Sequence, residues 1–487
     1  MAALSSTFAA PDLAPPAPRL TPAASTGPTS ALAPCVTLPL RFVLTGFLSW
    51  LAGMALLVAR PDILAEYHYN QYVVAATHLF VLGFLASIVM GATYQLVPVA
   101  LEARLFSERL ARWQYVFHLV GFVGMVWMFW RWDLKQVGHF GSVFGVGVAL
   151  FVYNVARTLR RAPRGNVVVT GIASALAWLT LGVLAGLVIA AGKCTYDSTE
   201  TLAPSNPLWA MLKGLQATAA LVTRFDALGL MHAHAHLGVV GFFVMMIVVV
   251  SYKLVPMFTL GELQNERRAA WSVRLLNTGV AGLFLALVLR SAWKFAAALV
   301  IVAALGLYLA EIRAILRARR RRVLDWGLRY YVTALGLLAM LGLLGLVLCW
   351  PGLPVTRFTS QLETVYGWLG IVGVVSFTVL GFLYKIVPFL VWYHSYSREV
   401  GRAKVPSMAD LYSPGLQVAG YWLFLTGLAG AAVGAALGQA MLARVGAAVL
   451  LGSLAVFGVN FGLMLRHFFR PQVTPIGPPA VAKASAT

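Results

Sequence analysis

The residues best suited to chemistry in this chain are three histidines in one short stretch, His232, His234 and His236. On a helix His232 and His236 share one face, because they are four positions apart, whereas His234 points to roughly the opposite side. Two imidazoles at this spacing can hold one metal ion, or one of them can be an axial ligand of a haem iron. We therefore expect metal ligands among all three residues, and cofactor ligands at His232 and His236.

His78 joins this group because it occupies the same place in a repeated block of sequence. Residues 78–98 read HLFVLGFLASIVMGATYQLVP, and residues 236–256 read HLGVVGFFVMMIVVVSYKLVP. A third copy, residues 368–388, reads WLGIVGVVSFTVLGFLYKIVP and begins with Trp. Ionisable side chains inside apolar helices are costly and tend to mark functional sites. The shared position therefore favours a cofactor-ligand role for both His78 and His236.

Each histidine also has a structural interpretation, in which a ring near a helix end bonds to loop carbonyls or to lipid headgroups. We expect this role for His68, His139, His394 and His467. His118 lies inside an apolar segment, where it is expected to be a buried polar link or a partner of a ligand. The repeated Tyr94, Tyr252 and Tyr384 are expected at the membrane interface. The repeated Val-Pro pairs are expected to end their helices.

The composition places these residues in a membrane. The chain has 487 residues, of which 60% are hydrophobic and 11% charged, and its mean hydropathy is +0.81. These values exclude a soluble enzyme and predict an all-α polytopic membrane protein in a lipid bilayer. The net charge of +21 lies in short segments between apolar runs, so no nucleic-acid partner is expected. Cys35, Cys194 and Cys349 show neither metal-ligand spacing nor a disulfide framework.

Twelve apolar segments of spanning length follow a tail rich in Ala, Pro, Ser and Thr. The repeated block lies in the second, sixth and tenth segments, so we predict a pseudo-threefold repeat of four-helix units. The predicted organisation is a disordered tail (1–36), three four-helix repeats (37–162, 163–322 and 323–468) and a cytoplasmic tail (469–487).

Lys and Arg indicate the orientation of the chain. They concentrate in the connections between predicted spans 2 and 3, 4 and 5, 6 and 7, 8 and 9, and 10 and 11, and in the C-terminal tail. The four arginines of residues 319–322 are the strongest marker. By the positive-inside rule both termini are predicted to be cytoplasmic, so the histidine-bearing ends of spans 2 and 6 should lie toward the outer side.

This pattern resembles subunit I of the haem–copper oxidase superfamily, over most of the chain after residue 36. It is closest to the cbb-type cytochrome c oxidases and the nitric oxide reductases, in which the histidine of helix 2 is followed by Gly-Phe and that of helix 6 by Val-Gly-Phe-Phe. Here His78 is followed by Gly83 and Phe84, and His236 by the segment 240–243. The His-Ala-His element is similar to the haem- and copper-associated NnrS family. The resemblance implies that His78 binds a low-spin haem and His236 binds copper.

The sequence also departs from that superfamily. Helix 7 of the superfamily supplies a His-His pair to copper and helix 10 supplies ligands to both haems, but residues 271–290 and 368–388 contain no histidine. An oxygen- or NO-reducing centre of the usual kind is therefore not expected. What remains is a single haem between His78 and a histidine of helix 6, or a copper site at the histidine cluster.

Three functions follow from these observations. The first is a haem-binding membrane protein of respiratory electron transfer, in a bacterial-type inner membrane, with cytochrome c or other respiratory subunits as partners. The second is non-catalytic handling of haem or copper, or NO tolerance. The third is a transporter built on the same scaffold, for which the sequence shows no unwound helices or paired buried charges. The sequence leaves open whether the chain is an enzyme; if it is one, the resemblance implies an oxidoreductase.

Overall fold

The computed structural model describes residues 35–162, 166–193 and 203–475, and these residues are predominantly helical. The long helices are α1 (Thr37–Ala59), α2 (Gln71–Ala100), α3 (Glu108–Arg131), α4 (Leu134–Leu159), α5 (Val167–Lys193), α6 (Ala227–Thr259), α7 (Glu266–Val288), α8 (Lys294–Arg317), α9 (Trp326–Cys349), α10 (Arg357–Tyr396), α11 (Pro414–Leu437) and α12 (Ala440–Phe469). The prediction of a helical polytopic membrane protein is confirmed. Most of the tail 1–36 and Cys194 lie outside the described residues.

Eleven of these helices are long and apolar enough to cross a membrane. The exception within the described ranges is α3, which corresponds to the third predicted span. It has 24 residues, and its apolar stretch contains Gln114, His118 and three tryptophans, which lower its hydropathy. Eleven helices are therefore candidate membrane spans, and the twelfth span remains a prediction.

Short elements complete the described chain. A one-turn helix, Asp62–Ala65, follows α1, and the helix Trp209–Val222 precedes α6 and packs against α5. A 3₁₀ turn, Met408–Leu411, precedes α11. Two short strands, β1 (Ala403–Lys404) and β2 (Thr474–Pro475), pair antiparallel on the side of the chain where α10 and α12 end.

The three helices that carry the repeated block begin at side-chain caps. Asn70 accepts hydrogen bonds from the amides of residues 72 and 73 at the start of α2. Asp226 accepts one from the Gly229 amide at the start of α6, and Thr356 forms a capping box with Thr359 at the start of α10. These side chains satisfy amides that have no partner within the helix, so each helix start is set by a local sequence signal.

Each of these helices contains a π-helical segment directly after the first residue of the block. The segments are Leu79–Ala86, Leu237–Val244 and Leu369–Ser376, and they follow His78, His236 and Trp368. A π-helix bonds residue i to residue i+5, is rare, and occurs often at functional sites. The π segment of α10 contacts those of both α2 and α6. The unusual backbone geometry therefore converges in the middle of the bundle.

The repeated blocks form the interior of the molecule. In α10, 89% of the most apolar stretch is buried, whereas in α9 only 17% is buried. Tyr94, Tyr252 and Tyr384 are all less than 4% exposed, and each hydroxyl hydrogen-bonds within the protein. The expectation that they are interfacial anchors is therefore wrong. Their partners Gln114, Ser272 and Asn460 satisfy the hydroxyls, so the tyrosines are buried without an unpaired polar group.

The prolines of the blocks do not end their helices. Pro98, Pro256 and Pro388 lie inside α2, α6 and α10, and α10 continues to Tyr396. A proline removes one backbone donor, and the surrounding packed helices hold the rest of the helix in place.

The third and fourth helices of each predicted unit form a close hairpin: α3 with α4, α7 with α8, and α11 with α12. Glycines permit this approach. A Cβ on Gly121 would lie 2.5 Å from the backbone of Phe144, and one on Gly446 would lie 2.1 Å from the backbone of Ala431. Small residues let helix backbones come together inside a membrane, where packing drives association.

A buried polar side chain ties each hairpin at its base. Asn154 accepts from the Ser107 amide at 3.0 Å, and Asn460 accepts from the Ser413 amide at 2.8 Å. In the second hairpin the buried Glu311 accepts from the Asn265 amide at 2.9 Å. In all three cases the fourth helix holds the capping residue of the third.

Candidate functional site

A cavity of about 480 Å³ lies among α2, α5, α6 and α10 and is lined mainly by apolar side chains. This volume is in the range of small-molecule and cofactor sites. Its polar side chains include five histidines, His68, His78, His232, His234 and His236, together with Glu363, Lys294 and Tyr366. The cavity is therefore an apolar space with a few convergent metal-binding groups.

His78 on α2 and His234 on α6 form the first pair. Their imidazole rings are nearly parallel, with planes inclined by 16° and centroids 6.4 Å apart. When two imidazoles bind one metal ion, each metal–nitrogen bond is about 2 Å long. Together with the distance from each nitrogen to the centre of its ring, these bonds separate the ring centroids by about 6 Å. The spacing is therefore close to that of two imidazoles bound on opposite sides of one metal ion.

Backbone carbonyls orient both rings of this pair. The Nδ1 atom of His78 donates to the carbonyl of Val74 at 2.8 Å, and that of His234 donates to the carbonyl of Gly182 at 3.0 Å. A carbonyl oxygen only accepts, so the proton lies on Nδ1 and each Nε2 keeps its lone pair. Metal-binding histidines commonly have their second nitrogen held in this way. Both Nε2 atoms are therefore prepared to act as ligands.

His232 belongs to a second group of donors with His68 and Glu363. The Nε2 atoms of His68 and His232 are 3.3 Å apart, and the His68 Nε2 is 3.6 Å from a carboxylate oxygen of Glu363. One ligand atom from each residue lies within 4.8 Å of the other two. Among the described residues, this is the one group of three histidine, cysteine or acidic side chains with that geometry.

His236 faces a third partner. Its Nδ1 donates to the carbonyl of His232 at 2.7 Å, and its Nε2 accepts from the hydroxyl of Tyr366 at 3.3 Å. The ring of Tyr366 lies nearly parallel to the imidazole, with centroids 5.8 Å apart. The structure thus directs His232, His234 and His236 to three different partners, and they do not share one metal-sized space.

The sequence analysis and the structure pair these residues differently. It expected His78 to act with His236 or His232, whereas the structure brings His78 to His234. His68, expected to have a role at a helix end, lies beside His232. Glu363 was missed because the predicted tenth span began two residues after it. An acidic side chain on a membrane helix was the available signal, since such residues are rarely without function.

The connection between α1 and α2 places several titratable groups beside the cavity, which His68 lines. Burial lowers the pKa of His68, which therefore stays neutral at pH 7 and keeps one ring nitrogen available for binding. Nearby, the Arg60 guanidinium donates to Asp62 at 2.7 and 3.0 Å, and these bonds lower the pKa of that carboxyl. Burial raises the pKa of Tyr67.

Two other predicted structural histidines have clear partners. His118 is buried, and its Nε2 is 2.8 Å from the hydroxyl of Ser87, directly after the π segment of α2. The Nδ1 of His467 is 2.7 Å from the hydroxyl of Tyr396. His118 is therefore a buried polar link, as expected, and it holds α3 against α2.

Comparison with known proteins identifies the fold that carries this cavity. No protein-family model and no curated protein sequence matches the chain. Among solved structures, the chain is similar to a haem–copper terminal oxidase whose dimer was determined by cryo-EM, with a TM-score of 0.59 and 14% sequence identity. The match covers 91% of this chain and 84% of the oxidase chain. The chain therefore has a haem–copper-oxidase-like membrane fold, which confirms the expected distant relationship at the level of architecture.

Proposed function

We propose that this chain is an integral membrane haem protein of respiratory electron transfer, with one haem held by His78 and His234. The observation that carries the proposal is the parallel arrangement of these two rings in an apolar cavity, with both Nδ1 atoms bonded to carbonyls. The donor set fits haem iron, for which histidine is a usual axial ligand. The oxidase-like fold supports a redox role, although the fold alone does not assign a function.

The ligand pair favours electron transfer over reduction of oxygen or NO. A haem held by His78 and His234 would supply a reversible one-electron couple, and residues 271–290 and 368–388 contain no histidine for a second, substrate-reducing centre. The protein's own part is to hold both rings in place and to exclude water with apolar side chains. Low polarity and hydrogen bonds to the ligand imidazoles are the means by which a protein tunes the potential of such a centre.

The proposal extends to the architecture. Twelve spans in three four-helix repeats are supported by the equivalent π segments, tyrosine hydroxyl bonds and hairpin ties in the three units. We infer cytoplasmic termini and a bacterial-type inner membrane from the distribution of Lys and Arg. Cytochrome c or other respiratory subunits are the proposed partners, because a haem that only transfers electrons would have to exchange them with other proteins.

A second candidate function is the handling of haem and copper, without turnover. It is favoured by the separate donor group of His68, His232 and Glu363, which lines the same cavity. The two functions predict different amounts of haem and copper per chain and different rates of haem loss. An electron carrier keeps one haem through purification, whereas a handling protein binds copper or exchanges its haem readily.

The test is a reduced-minus-oxidised visible spectrum of the detergent-purified protein, with haem and copper quantified on the same sample. We expect a sharp alpha band and close to one haem per chain. Copper without haem would replace the first function by the second. A protein that binds neither after reconstitution with haem would contradict both functions and make transport the leading question.

A further inference from the structure

We propose that His68, His232 and Glu363 form a binding site for a divalent first-row transition metal ion, separate from the His78–His234 pair. The three residues come from three parts of the chain. His68 lies in the connection between α1 and α2, His232 lies on α6, and Glu363 lies on α10. This inference goes beyond the proposed haem site, and it does not depend on haem being bound.

The distances fit a tetrahedral ion. Two ligand atoms, each about 2.1 Å from a tetrahedral metal, lie about 3.4 Å from each other. The two Nε2 atoms are 3.3 Å apart, and the His68 Nε2 is 3.6 Å from the Glu363 oxygen. All three atoms lie within 4.8 Å of one another, so only a small movement of Glu363 or His232 is needed to complete the set.

The alternative is a hydrogen bond between the two imidazoles, and it explains the arrangement less completely. A single shared proton accounts for the 3.3 Å approach of the Nε2 atoms, but it leaves Glu363 outside hydrogen-bond range of His68 at 3.6 Å. A cation between the three groups attracts both lone pairs and the carboxylate together.

The ligand types define the class of ion. Imidazole suits zinc, copper, iron and nickel, and two imidazoles with one carboxylate form a site that retains open positions for water or another ligand. Calcium and magnesium prefer oxygen ligands alone, so they are not expected here. By the usual affinity order Cu²⁺ should bind more tightly than Zn²⁺.

An ion at this place would connect the starts of three helices that line the cavity. Binding to the folded state alone raises stability by mass action. The melting temperature should therefore rise with added Zn²⁺, and this readout is independent of haem content and of any activity.

The experiment compares the full-length protein with three variants, His68→Ala, His232→Ala and Glu363→Gln. After removal of metals, Zn²⁺ binding is measured by calorimetry and by metal analysis of the dialysed protein. We expect one Zn²⁺ per chain in the unchanged protein. Loss of a residue that only supports a metal ligand lowers metal affinity by roughly 10–100-fold, so loss of a ligand itself should lower it at least as much in each variant. Glu363→Gln keeps the shape of the side chain, so its fold is expected to be intact.

Matched controls separate this site from its neighbours. His139→Ala and Glu262→Gln change exposed residues of the same types, and His78→Ala and His236→Ala change other residues of the cavity. All four should retain Zn²⁺ affinity. With Cu²⁺, electron paramagnetic resonance should show coupling to two imidazole nitrogens in the unchanged protein and to one in His68→Ala.

Three results would overturn the proposal. The first is an unchanged protein that takes up no stoichiometric Zn²⁺ or Cu²⁺. The second is equal affinity in Glu363→Gln, His68→Ala and the controls. The third is loss of binding in His236→Ala in place of His68→Ala, which would assign the ion to the helix 6 cluster expected from the sequence. None of these results bears on haem binding by His78 and His234.

Discussion

The imidazole rings of His78 and His234 lie nearly parallel with their centroids 6.4 Å apart, although the two residues belong to α2 and α6. Each ring is held by a carbonyl, one from its own helix and one from α5. Three helices therefore set the geometry of this pair of rings, which makes the pair sensitive to helix packing.

Replacement of either ring of the pair should abolish stable haem binding. We expect His78→Ala and His234→Ala to lower haem affinity by at least about 10–100-fold, because each removes one of the two residues that would hold the haem. His236→Ala should retain the haem, since its Nε2 faces Tyr366. The measurement is haem per chain and the position of the alpha band. Loss of haem in His236→Ala with retention in His234→Ala would reverse the assignment.

A methyl group at Gly186 should disturb the same pair from α5. A Cβ there would lie 3.0 Å from Cε1 of His234, so the ring must shift by a few tenths of an ångström. We expect Gly186→Ala to change the visible spectrum or the rate of haem loss while the protein remains folded. Gly306→Ala on α8 is the control, because no atom lies within 4 Å of its added Cβ. Identical spectra of the two variants would show that His234 is not a haem ligand.

Two glycines of α12 should respond differently to substitution by alanine, because only one of them packs against α11. At Gly446 an added Cβ would lie 2.1 Å from the Ala431 backbone, whereas at Gly452 it would meet nothing within 4 Å. Gly446→Ala should lower the free energy of unfolding by about 1–3 kcal/mol, as overpacking does. Gly452→Ala should raise it by up to about 1 kcal/mol, because alanine is the better helix former. Thermal unfolding in detergent measures both, and equal melting temperatures would contradict the close packing.

The Arg60–Asp62 pair should make stability depend on acid pH. The pKa of Asp62 is lowered in the folded state, so the pair stabilises the protein above the unfolded carboxyl pKa of about 3.9. This stabilisation is lost as pH falls through the lower folded value. Asp62→Asn should therefore melt at a slightly lower temperature at pH 7, and the difference should disappear in strong acid.

Salt provides the control for this prediction. Both side chains are partly exposed, with 39% and 31% of their surface accessible, so high ionic strength should also reduce the difference. The exposed Glu102→Gln should show no comparable pH dependence. An Asp62→Asn difference that persists below pH 3 would mean that the variant acts through the shape of the Asp62–Ala65 turn.

The buried tyrosines show where sequence reasoning about exposure to lipid fails. Tyr and Lys near the end of an apolar helix are typical of the membrane interface, and Tyr94, Tyr252 and Tyr384 fit that pattern. In the structure they are buried, because neighbouring helices cover the faces of α2, α6 and α10 that carry them. The apolar character of a helix does not reveal whether lipid or protein surrounds it.

The sequence by itself determined the membrane class, the helices that carry the repeated block, and the histidines that begin two of the three blocks. These follow from local properties, namely hydropathy, capping residues and spacing along one helix. Only the tertiary structure decided which imidazole meets which partner. Each residue turns a helix by about 100°, so a spacing of two residues places His232 and His234 on opposite sides, and the choice between them depends on how α6 is rotated against α2. The approach of His68 and Glu363 to His232 likewise depends on the packing of separate segments, which no local pattern encodes.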